Sequence, residues 1–85
     1  MDISRAEQRI LHLLAQGGRI ELIRDCNRKI ADIKLITREG WLFGELDLQT
    51  FRKLKRKRAV RSRQGQPYLV TRRGLELVRS QLNNR

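Results

Sequence analysis

Eight Arg or Lys side chains and no acid fall between Arg52 and Arg63, in the run RKLKRKRAVRSR. Clustered cations of this density bind polyanions, because each phosphate they neutralise releases condensed counterions. Residues with catalytic chemistry are far thinner on the ground. One histidine, His12, and one cysteine, Cys26, are too few for a zinc cluster. Gly17-Gly18 lacks the Lys and Ser/Thr that a phosphate loop requires. Asp25, Asp32, Glu39 and Glu45 lie on or near the strands, mostly at solvent-facing or turn positions, and are expected to be ordinary surface acids ahead of a paired carboxylate site. Trp41 and Tyr68 have rings that can stack on bases, but a small domain needs such area for its own packing. These residues describe a binding protein, not an enzyme, with neither metal nor cofactor.

The charge is unevenly placed. Residues 1–46 hold eight basic and seven acidic side chains, whereas residues 47–85 hold twelve basic and two acidic. The net +11 therefore belongs almost wholly to the second half. A chain of 85 residues makes one domain, 1–85, with a modest core and little room for a deep pocket. A single cysteine excludes an internal disulfide and fits a reducing compartment. The start MDISRAEQRI is too polar for a signal peptide, and no run approaches the roughly 18 apolar residues of a membrane span. The expectation is a soluble cytoplasmic protein.

The elements that carry the cations follow from periodicity. Ser4 and Glu7 have capping-box spacing and open a helix to about Gln16, with Ala6, Ile10, Leu13 and Leu14 on one side. Gly17-Gly18 ends it. Alternation then predicts three strands: from Arg19 to the turn at Asp25–Arg28, about Lys29 to Thr37, and Trp41 to Leu46. Consecutive short strands read as an antiparallel meander. Asp47 can cap a second helix, about Leu48 to Arg58, with Leu48, Phe51 and Leu54 inside and Gln49, Arg52, Lys53 and Arg56 outside. A hairpin follows, Ala59 to Arg63 and Tyr68 to Val70, with its tip at Gln64–Pro67. Thr71 caps a last helix with the stripe Leu75, Val78 and Leu82, and the tail 83–85 is expected to fray.

The fold class is thus α+β, in the order α-β-β-β-α-β-β-α, with a winged-helix-like helix and basic wing hairpin. A winged helix usually carries a further helix before the recognition helix, and here three strands fill that interval. The width of the DNA major groove, about 12 Å, suits the second helix. Arg52, Lys53 and Arg56 are its groove-facing candidates. Lys55, Lys57, Arg58, Arg61 and Arg63 are phosphate-contacting candidates, and Arg72 and Arg73 extend the footprint.

The segments SRAEQRILHLLAQGGRI (4–20), TREGWLFGELDLQTFRKLKRKRAVRS (37–62) and GQPYLVTRRGL (65–75) resemble the YjhX family, small bacterial proteins described as toxins of toxin–antitoxin pairs. The resemblance spans essentially the whole chain. It implies an inhibitor of bacterial DNA topoisomerase I with an antitoxin protein as partner, and it assigns no catalytic residue. Two readings follow. In one, the basic helix–hairpin surface docks on topoisomerase I or another acidic protein surface. In the other, the chain is a duplex-DNA-binding regulator. An RNA- or ribosome-associated domain ranks third, since no aromatic-rich sheet favours base stacking. Membrane binding ranks below these, because the apolar stripe is narrow and needed for the core.

Overall fold

A computed structural model describes residues 3–83, with side chains through Arg79. The observed order is α1 (Arg5–Ala15), β1 (Arg19–Arg24), β2 (Ile30–Ile36), β3 (Leu42–Phe43), α2 (Leu48–Arg56), β4 (Val60–Arg61), β5 (Leu69–Val70) and α3 (Arg72–Asn83). This is the α-β-β-β-α-β-β-α order expected from the pattern.

The capping box forms: Glu7 N–H donates to Ser4 Oγ and Ser4 N–H donates to Glu7 Oε1, both at 3.2 Å. These contacts satisfy two backbone donors that a helix start leaves open. The buried face of α1 differs from the expected one. Ile10, Leu11 and Leu14 are buried while Ala6 is exposed and Leu13 half-buried, because α3 and α2 both pack on this helix and rotate the stripe toward Leu11. After α1, Gly17 takes φ 112°, and Gly18 N–H reaches back to Leu13 O at 3.1 Å. This closes the helix in the Schellman manner.

β1 and β2 pair antiparallel from Arg19↔Ile36 to Arg24↔Ile30, with an irregularity between Ile23 and Arg24. β3 is much shorter than the expected Trp41–Leu46 run. Only Leu42 and Phe43 pair with β2, and the chain turns at Gly44-Glu45 before Asp47 caps α2. Ile20 and Leu35, fully buried, bring the inner face of this sheet to the core alongside Phe51 and Leu54 of α2.

β4 and β5 form the second hairpin through Val60↔Val70 and Arg61↔Leu69. It is not a free wing. Ile20 and Tyr68 exchange both backbone hydrogen bonds, at 2.9 and 2.7 Å, so the hairpin is stitched to β1. Strand patterns define which residues alternate, not which distant strand they meet, and this link has no local signature.

In α3, Val78 is buried as expected, while Leu77 is buried and Leu75 only half-buried, so the inner stripe widens toward Leu77. The Leu82 side chain and the tail beyond Asn83 lie outside the described residues. Gly74 is buried where α3 meets the hairpin. A Cβ there would collide with Ala59 O and sit 2.7 Å from Val70 Cγ2. Thr71 ties the same corner together, accepting from Gly74 N–H at 3.0 Å and donating to Arg58 O at 2.7 Å.

Candidate anion-binding surface

Asp47 accepts Thr50 N–H at 2.7 Å and starts α2 where the pattern placed it. That hydrogen bond holds its carboxyl below the ordinary aspartate value. From this start the 100° step of the helix buries Phe51 and Leu54, half-buries Leu48, and leaves Gln49, Arg52, Lys53 and Arg56 exposed. The four exposed residues and Leu48 line one shallow groove. The groove-facing candidates are therefore together in space.

A second cationic groove lies on the hairpin. Arg61, Arg63 and Arg72 surround a floor that includes Leu69 and Val70. Leu69 is 54% exposed, an apolar contact beside three cations that alternation alone left unremarked.

The remaining basic candidates have separate placements. Lys55 is exposed, with Nζ 5.7 Å from the ring centres of both Phe51 and Tyr68, whose rings meet edge to face at 5.0 Å. This cation–π contact orients its charge without neutralising it. Arg73 and Arg72 approach Glu76 at 3.9 and 4.0 Å, weak exposed pairs that leave both guanidinium groups accessible.

Lys57 turns inward. Its Nζ lies 2.6 Å from Glu7 Oε2, with the Glu7 side chain only 3% exposed. Burial by itself would raise the Glu7 carboxyl pKa. The hydrogen bonds from Lys57 and Ser4 outweigh burial and hold it below its ordinary range. Lys57 thus fastens the end of α2 to α1. The capping-box spacing revealed the local role of Glu7, but no sequence pattern links it to a lysine fifty positions away.

Arg58 follows with φ 59°. Ala59 N–H reaches Leu54 O and Arg58 N–H reaches Lys55 O, each at 2.9 Å, so α2 ends in the same Schellman closure as α1. Arg52, Lys53, Lys55, Arg56, Arg58, Arg61 and Arg63 form no salt bridge among the described residues. A helix face and a hairpin face of unneutralised cations, braced by Lys57, make up the candidate surface. Such a surface attracts acidic protein or phosphate. Among the described residues no cluster of three or more His, Cys, Asp or Glu could hold a metal ion. No described helix is long and apolar enough to cross a membrane.

A small basic α+β protein that displays its charge on a helix and hairpin is the class these features define. The chain belongs to the YjhX toxin family, whose model matches residues 1–85 and is described as "putative toxin of bacterial toxin-antitoxin pair". It is similar to UPF0386 proteins: 73% identical to one from Agrobacterium fabrum, 66% to one from Rhizobium etli and 63% to one from Hyphomonas neptunium. The first two alignments cover all of both chains and the third 99% of each. No solved structure matches.

Proposed function

We propose that this chain is a non-catalytic cytoplasmic toxin that inhibits bacterial DNA topoisomerase I, docking through the cations of α2 and the β4–β5 hairpin, and that an antitoxin protein neutralises it. The carrying observation is the segregation of charge. Among the described residues, seven of the ten basic candidates have no acidic neighbour in salt-bridge range, although the N-terminal half pairs Arg9 with Glu45 and Arg19 with Glu21 at 2.9 and 2.8 Å. Unpaired cations accelerate association with an acidic surface and make it salt-sensitive. The test is relaxation of supercoiled plasmid by purified bacterial topoisomerase I at fixed, near-physiological salt. Relaxation should slow as the protein is titrated; unchanged relaxation at stoichiometric excess would overturn the reading.

A second reading, a winged-helix regulator of duplex DNA, draws on one specific feature: Gln49, Arg52, Lys53 and Arg56 share the exposed groove of α2. Helices with such a face enter major grooves, where Arg reads guanine and Gln reads adenine. It predicts retardation of duplex DNA at physiological salt, with log affinity falling by about 0.9 per phosphate contacted for each decade of salt. DNA retention that vanishes at that salt would leave the protein-directed reading alone.

A further inference from the structure

β1 carries an open edge that the cationic surface does not use. The antiparallel ladder between β1 and the hairpin consists of a single step, Ile20↔Tyr68. Continued by one register step, Leu22 would face Gln66. It does not, for reasons in the hairpin itself. Gln66 N–H donates to Arg63 O at 2.9 Å, and Gln66 O accepts from Ser62 Oγ. The hairpin tip is thereby folded onto itself and diverges from β1. Alternation along β1 turns the Leu22 N–H and C=O to the side on which Ile20 meets Tyr68, where no strand among the described residues receives them. A cleft opens there, between Glu21, Leu22 and Arg24 on one wall and Gln66, Pro67 and Tyr68 on the other.

We propose that this cleft takes an extended acidic segment of a partner polypeptide, which adds to the free edge of β1 as an antiparallel strand. The backbone at Leu22 presents a donor and an acceptor side by side, and another extended polypeptide returns both. A phosphodiester backbone offers acceptors only and cannot. Acidic character follows from the charges at hand. Glu21 is already held by Arg19 Nε at 2.8 Å, whereas Arg24 is exposed and uses Nη1 only to bond Arg28 O at 3.0 Å, leaving donors for a carboxylate. The net +11 of the chain adds a long-range preference of the same sign. Half-buried Leu22 and Tyr68 offer apolar contacts for alternate side chains of the added strand.

The test selects binders from a library of random short peptides at near-physiological salt, using the full chain as bait. The enriched peptides should be acidic and β-prone. Their binding should fall about tenfold when one edge-facing amide of the peptide is N-methylated, the loss expected for a main-chain hydrogen bond in the complex. Hydrogen exchange should slow at the Leu22 amide. Arg24→Glu, checked for native circular dichroism, should weaken the same peptides while leaving plasmid-relaxation inhibition unchanged. Peptides that survive N-methylation, or that protect α2 amides in place of Leu22, would overturn the proposal in favour of bulk charge attraction. So would a library that yields no binder, or a DNA duplex that protects Leu22.

Discussion

The two long closures of this molecule share one backbone solution and use opposite residues. α1 ends on Gly17 at φ 112°, and α2 ends on Arg58 at φ 59°. Both pass hydrogen bonds back to the last turn in the same way. Glycine enters the left-handed region freely, whereas a side chain there costs about 1 kcal/mol. The α1 closure sits in the half with balanced charge; the α2 closure sits inside the basic run. At this closure the basic run keeps a cation where glycine would serve the backbone better, as the turn at Arg28, φ 64°, also does in the N-terminal half. Lys57, one residue earlier, shows the complementary choice: there the cation is withdrawn from the surface and fixes the fold.

Removing the withdrawn cation's partner should have the largest effect. Glu7→Gln removes the carboxylate that Lys57 Nζ meets at 2.6 Å and should lower stability by about 3 kcal/mol in denaturant titration. A far smaller loss would mean that Lys57 swings out to solvent and belongs with the exposed set after all. Gly74→Ala forces Ala59 O and the hairpin away from α3 and should cost about 2 kcal/mol, read by the same titration. If it is neutral, the corner that presents Arg58 is looser than the contacts imply.

The pH response sharpens the contrast further. The folded-state pKa of Glu7 lies below its unfolded value. Its contribution is therefore fully present above the unfolded value and is lost as pH falls through the folded one. Thermal stability should drop on acidification below about pH 4.5, and Glu7→Gln should blunt that drop. Smallest is Arg58→Gly, expected to raise stability by about 1 kcal/mol while weakening inhibition of plasmid relaxation. Greater stability with undiminished inhibition would show that the cation at this closure has no part in docking.

Local chemistry was the legible part of the sequence. Ser4 with Glu7, Asp47, Gly17 and Thr71 mark element ends through contacts within a few residues, and all appear where the pattern placed them. The exposed face of α2 was legible because helical periodicity alone fixes it. Non-local choices were not. The Ile20–Tyr68 link, the Lys57–Glu7 pair and the rotation of α1 toward Leu11 depend on which distant surfaces meet. The short β3 belongs with them, since alternation from Trp41 to Leu46 continues past the point where pairing with β2 stops. The charge block was visible at once. Its division into two exposed grooves, one brace and one strained closure required the fold.

The central claim is that position, not bulk charge, makes the helix–hairpin surface functional. Its most direct measurement compares two triple charge reversals in the plasmid-relaxation assay at equal salt: Arg52, Lys53 and Arg56 to Glu, against Arg5, Lys29 and Arg38 to Glu. Both sets are exposed and change net charge equally. Loss of inhibition in the first variant, with retention in the second, is the predicted result. Equal loss in both, or inhibition that survives the first, would contradict it.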